Sequence, residues 1–198
     1  MAKVLTENIT KDELEEAIRS VEAYAYVTVG NPKVFRALRT GADKYYHRVN
    51  TPEKIPALYI YRRFGERVQH RAFVVLQGPE GDSFARKVTT NDKHIQIKII
   101  HGHAINRYIE RHHFEGTLEM AQRKILNELK MSYVVPDGTS DTLYIDYDGG
   151  VFLCTMNDGI LHMRTFIMHR QCKPIQRLRA LESERKLTEI KNDLGIKE

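Results

Sequence analysis

The stretch from Thr142 to His169 constrains the fold more than any other part of the chain. Three runs, Thr142–Tyr147, Val151–Met156 and Ile160–His169, are dense in β-branched, aromatic and aliphatic residues. Asp148-Gly149 and Asn157-Asp158-Gly159 separate them. Those residue types tolerate the positive φ that tight hairpin connections need, so the spacing predicts a three-stranded antiparallel meander. A sheet of this kind must bury one face, and helices are the available cover.

Helical periodicity supplies that cover. Thr10-Lys11-Asp12-Glu13 reads as a capping box, followed by Leu14, Ala17, Ile18 and Val21 on one face and an end near Tyr24–Val27. Asn31-Pro32 opens a second helix, with Val34, Leu38 and Tyr45 toward the core. After a loop at Asn50–Pro56, Ala57–Phe64 and Gln69–Gln77 read as a hairpin turning at Gly65. Gly78–Asp82 is a chain breaker, and further strands are expected at Ala85–Thr89 and His94–Ile100. In the second of these, Ile95, Ile97 and Ile99 alternate with Gln96 and Lys98.

The period then changes. His103–His113 reads as a helix with Ala104, Ile105, Tyr108 and Ile109 on its apolar side. A further helix from Thr117 to about Met131 has Leu118, Ala121, Ile125 and Leu129 as its buried stripe, and Pro136-Asp137-Gly138 ends the helical region. Beyond Pro174 the chain turns charged, with Leu178, Leu181, Leu187, Ile190 and Leu194 at helical spacing. The expected class is α+β: helices packed on a curved antiparallel sheet, with an N-terminal helical and hairpin extension and a C-terminal amphipathic helix. The expected divisions are residues 1–90, 91–170 and 171–198.

Composition narrows the function classes. Of 198 residues, 41% are hydrophobic and 29% charged, which is the ordinary globular range. No apolar run approaches the ~20 residues of a membrane span, and the N-terminus lacks the apolar core of a signal peptide. A cytoplasmic location without membrane contact is expected. A net charge of +5 and a pI near 9.1 admit an anionic partner. Cys154 and Cys172 match no metal motif, and Cys154 sits in an apolar run as a small core residue.

The segment densest in chemistry is His101–His113. On a helix, His103, Arg107, Glu110 and Arg111 fall at i, i+4, i+7 and i+8, on one face. Histidine exchanges protons near neutral pH, and guanidinium groups bind phosphate oxygens and stabilise charge developing on a transferring group. Such a face suits phosphoryl chemistry in which a ribose 2′-hydroxyl attacks without metal. The plain alternative is a solvated face with ion pairs one turn apart. A metal site from His101, His103, His112 and His113 is a further alternative, although the spacing fits no standard zinc pattern. No metal or other cofactor is expected. Arg62, Arg63, Arg67 and Arg71 lie among the aromatics of the first hairpin and read as a nucleic-acid platform; a twisted hairpin with inward aromatics is the bland alternative.

The order of strand, His103-Ala104-x-x-Arg107-x-x-x-Arg111 helix, second amphipathic helix and meander resembles the small RelE-type and barnase/EndoU/colicin-like toxin and phage nucleases. The resemblance covers about Lys93–His169. It implies metal-independent RNA cleavage with a cyclic phosphate product, in a cleft shared by helix and sheet. On it, His103 is the acid/base, and Arg107, Arg111 and Arg164 hold the scissile phosphate. Thr165 contacts a phosphate oxygen, and Glu110 orients Arg107 or shares proton transfer. His162 and Arg164 share a strand face by alternation. RNA is the implied partner. The N-terminal extension and C-terminal helix, which the resemblance leaves without counterpart, suit a protein partner. They carry the competing reading, a non-catalytic binding or structural protein of a phage or mobile element.

Overall fold

The structure is a computed structural model of the chain, described at residues 4–29, 31–39, 44–64, 67–89, 95–128, 142–176, 178 and 185. It is an α+β fold that divides into two compact units, Met1–Lys87 and Val88–Glu198.

The first unit opens with α1 (Lys11–Val29). Its capping box forms: the Glu13 backbone N–H donates to Thr10 Oγ1 at 3.4 Å, and the Thr10 backbone N–H donates to the Glu13 carboxylate at 3.2 Å. Leu14, Ala17, Ile18, Val21 and Ala25 form its buried stripe. α2 (Pro32–Arg39) buries Val34 and Leu38. Tyr45, expected on that helix, instead lies in a strand, β1 (Lys44–Asn50). Its pairing with the next strand (Pro56–Phe64) decides this: Tyr45 sits opposite Tyr61. β2 (Pro56–Phe64), β3 (Arg67–Gly78) and β4 (Gly81–Thr89) follow, each antiparallel to its predecessor. α1 covers one sheet face, where the Tyr59 hydroxyl donates to the Val21 carbonyl at 2.8 Å.

The second unit begins with β5 (Ile95–Ile100), then α3 (Gly102–His112) and α4 (Leu118–Glu128). The meander β6 (Thr142–Tyr147), β7 (Gly150–Asn157) and β8 (Ile160–Met168) is present as expected. Its two turns place Asp148-Gly149 and Asp158-Gly159 at positive φ, 48° and 73°, 48° and 74°. The strand order is β5-β8-β7-β6, and β5 runs parallel to β8, so the sheet is mixed rather than antiparallel. Two helices intervene between β5 and the meander, which is the length of connection a parallel partner requires.

Directly paired strand residues share a face. One face of this sheet therefore carries Phe152, Cys154, Met156, Leu161, Met163 and Phe166, together with Gln96 and Lys98. α3 packs there: Tyr108 meets Phe166 edge-on at 5.2 Å between ring centroids, and Phe152 lies 5.0 Å from Phe166. Ala104, Ile105, Tyr108, Ala121, Ile125 and Leu126 are buried. Leu118, expected in the buried stripe of α4, is 47% exposed, because it stands in the first turn. The opposite face carries Val151, Leu153, Thr155, Ile160, His162, Thr165 and Ile167. The turn at Gly65, His94, residues 129–141 and most of the expected C-terminal helix lie outside the described residues. Among the described residues no helix is long and apolar enough to cross a membrane.

Candidate functional site

α3 presents the expected row of polar side chains, but most of them are engaged in holding the fold. Arg107 is ion-paired with Glu110 at 2.6 Å, so Glu110 does orient Arg107. Arg111 donates through Nη1 to the backbone carbonyl of Phe166, tying α3 to β8. His103 is half-buried in the first turn. His112 meets Asp148, and His113 closes the helix in the left-handed region at φ 48°.

Asp148 gathers a cluster that sequence reasoning passed over as turn chemistry. Its Oδ2 accepts from the Tyr108 hydroxyl at 2.6 Å and from Lys124 Nζ at 2.6 Å. The hydrogen bonds from Lys124 and Tyr108 hold the Asp148 carboxyl below its usual range, and the same carboxylate holds Lys124 above its own. Burial, and then the bond to Asp148, raise the Tyr108 phenol. A phenol pushed upward keeps its proton and stays a hydrogen-bond donor, so this cluster reads as a clamp joining α3, α4 and the β6–β7 turn.

Arg164 and Thr165 stand elsewhere. A β-bulge between Leu153 and Cys154 leaves Arg164 without a cross-strand partner: Thr165 faces Leu153, and Met163 faces Cys154. Arg164 is exposed, and its Nε donates to Thr155 Oγ1 at 3.4 Å. Thr155 lies directly across from His162, so His162, Arg164 and Thr165 share a face, as alternation predicted for the first two. That face is the one away from Phe166, on which α3 packs. Arg107, Arg111 and Arg164 are therefore not brought together on one sheet face, and neither are His103 and Arg164.

The residue that joins Arg164 is His101. The parallel register sets Ile99 beside His162, and one step beyond the last pair the His101 N–H donates to the Met163 carbonyl at 3.2 Å. This carries His101 onto the face of His162. Their rings stack at 5.3 Å, and His101 Nε2 lies 3.0 Å from His162 Nδ1. Both are buried, at 4% and 8% exposure. One imidazole must donate and the other accept, so the contact requires at least one neutral ring and fixes the tautomer of its partner. His101 belongs to the end of a strand, and a helical wheel that starts at His103 leaves it out. Among the described residues no three histidine, cysteine or carboxylate groups converge as metal ligands.

In the first unit, Arg62 and Arg71 share a sheet face: Arg62 lies opposite Gln69 and Arg71 opposite Ile60. Arg63, opposite Val68, belongs to the other face, which α1 covers. Arg67 begins β3 opposite Phe64, and its side chain lies outside the described set. Cys154 is fully buried, as expected, and burial pushes its thiol up to about 12. No family model, no curated protein and no solved structure matches the chain.

Proposed function

We propose that the protein is a metal-independent RNA endonuclease whose working site lies on the face of β8 opposite α3. One observation carries this reading: the His101–His162 pair, in contact at 3.0 Å, stands on the same strand face as the exposed Arg164. His162 takes the proton from the ribose 2′-hydroxyl. The resulting oxyanion attacks phosphorus, the bond to the 5′-oxygen breaks, and the pair returns the proton to that leaving oxygen. A 2′,3′-cyclic phosphate and a free 5′-hydroxyl result, so no proton or electron is left over. His101 is a positioning residue that holds the His162 ring and its tautomer. Arg164 binds the phosphate and stabilises its developing charge, and Thr165 offers a hydroxyl to a phosphate oxygen. His103, Arg107 and Arg111 leave the catalytic set on this reading.

Cleavage of a labelled RNA in EDTA tests the assignment. His162→Ala is expected to lower the rate by about 10²- to 10⁴-fold, the usual worth of a positioned acid/base. His103→Ala is expected to cleave like wild type. Undiminished cleavage by His162→Ala, or none by wild type, sinks the assignment. The second reading, an RNA-binding protein without turnover, is favoured by the burial of both imidazoles; RNA bound but left intact by wild type would establish it.

A further inference from the structure

Among the described residues five large apolar side chains are exposed, and four of them belong to the second unit. Leu118 and Met120 stand in the first turn of α4, and Ile175 and Leu178 follow the 3₁₀ turn His169–Gln171. Single apolar residues scattered over a surface are ordinary. These form two groups, and each group is held in place by its own local structure.

The first group is the corner between α3 and α4. Thr117 caps α4, its Oγ1 accepting from the Met120 N–H at 3.2 Å. A Cβ on Gly116 would lie 2.8 Å from the Phe114 ring and 3.4 Å from Met120 Sδ, so those two side chains flank a residue that has none. Phe114 is half-buried, 6.1 Å from the Tyr108 ring, while Met120 is 53% exposed. A thioether in such a place is adaptable contact surface. Glu115 and Glu119 are exposed at this corner, and Arg123 engages Glu119.

The second group is the start of a helix. Pro174, Ile175, Gln176 and Leu178 are helical, with Pro at the first position. The Gln176 side chain turns back to accept from the Lys173 N–H at 2.9 Å. Ile175 and Leu178 are three apart and share a face, at 54% and 64% exposure. Arg170 and Lys173, both exposed, precede them.

Both groups belong to one end of the unit, because the β6–β7 turn ties them together. Lys124 of α4 meets Asp148 of that turn at 2.6 Å, and the His169 N–H donates to the Gly149 carbonyl at 3.1 Å. Lys124 is one helical turn from Met120, on the same face of α4. An apolar corner bearing carboxylates and an apolar helix face bearing cations thus adjoin the same turn. A two-fold axis requires such an arrangement: where patch i of one subunit meets patch j of the other, j also meets i. A foreign peptide would match one of the two patches, whereas a second copy of the chain matches both.

We infer that a second copy of this chain covers this end of the second unit. Ile175 and Leu178 of each copy seat against Phe114 and Met120 of the other, and Lys173 faces Glu115. The inference is independent of the ribonuclease reading, since it rests on neither His162 nor Arg164.

Sedimentation velocity of the full chain across a dilution series tests it. The wild type is expected to sediment as a species of twice the 23.0 kDa chain mass. Met120→Asp and Ile175→Asp are each expected to raise the dissociation constant roughly 10- to 100-fold, as for a residue central to an interface. Val4→Asp, at an exposed apolar position of the first unit, is expected to leave the dimer intact. All three side chains are exposed, so none of these changes threatens the fold. Glu115→Lys and Lys173→Glu are each expected to weaken the dimer, and the two combined in one chain to restore it. A monomeric wild type overturns the inference. So does a dimer that survives Met120→Asp or Ile175→Asp, one that Val4→Asp weakens equally, or a charge-swapped double variant as weak as the single ones. Failure of the ribonuclease assignment would appear in His162→Ala cleavage and leave these masses untouched.

Discussion

The two faces of β8 use similar residue types for opposite ends. Toward α3, Phe166 and Met163 are buried under Tyr108 and its neighbours, and Arg107 and Arg111 of α3 and Lys124 of α4 are committed to carbonyls and carboxylates of the same unit. Toward the other side, two histidines and an exposed arginine lie within a few residues of one another. A density of titratable residues in sequence thus marked attachment points on one face, whereas the proposed proton transfer rests on the sparser set on the other face.

The hardest test of this contrast is Gly150→Ala. Gly150 begins β7 opposite Met168, on the helix-bearing face. A Cβ there would come within 2.5 Å of the Ile167 carbonyl oxygen and closer still to the Phe166 ring, which Phe152 and Tyr108 hold in place. Neither a backbone oxygen nor a clamped ring can yield cheaply. We expect a loss of roughly 3 kcal/mol, at the upper end of overpacking costs. Thr155→Val, on the opposite face, should change stability by less than about 1 kcal/mol, in line with surface substitutions. Chemical denaturation of both variants checks the pair; equal losses would erase the difference between the faces.

Arg111 and Arg164 sharpen it. Arg111→Ala removes a charged donor from the Phe166 carbonyl and is expected to cost about 1–2 kcal/mol of stability while leaving RNA cleavage near wild type. Arg164→Ala should leave the denaturation midpoint within about 0.5 kcal/mol, since the side chain is exposed. Its cleavage rate should fall by roughly 10²-fold, as for a lost transition-state donor. The reverse pattern, with activity following Arg111, would return the site to α3.

How much of this was legible follows from where each signal is stored. The capping box at Thr10–Glu13 and the turns at Asp148-Gly149 and Asp158-Gly159 are local, and they form as read. β1 was not legible: Lys-Tyr-Tyr-His-Arg-Val-Asn has no clean apolar alternation, and Tyr45 falls one heptad after Leu38, mimicking a continued helix. Only the partner strand β2 makes it extended. The same limit hid the candidate site. Helical spacing selects His103, because it considers α3 alone. Parallel pairing of β5 with β8, across two intervening helices, selects His101. The bulge that turns Arg164 out beside Thr155 is likewise a property of two strands.

The smallest expected effect concerns the clamp at Asp148, and its pH dependence gives the sign. The folded-state carboxyl is depressed by Lys124 and then Tyr108, so its contribution to stability is fully present above the unfolded value near 4 and is lost as pH falls through the lower folded value. The group is 35% exposed, so solvent screening keeps the contribution modest. Asp148→Asn should therefore cost about 1 kcal/mol at neutral pH, the net worth of a typical hydrogen bond with a charged partner partly screened. The gap between variant and wild type should then close below about pH 4, where the wild-type carboxylate takes up its proton. Denaturation midpoints measured from neutral pH downward check this. A gap that stays constant into acid would mean that Asp148 acts through its turn geometry, at φ 48°, and not through its charge. In that case the polar groups of the helix-bearing face would be packing elements rather than an electrostatic clamp, and Lys124 and His112 would lose their reason for lying beside it.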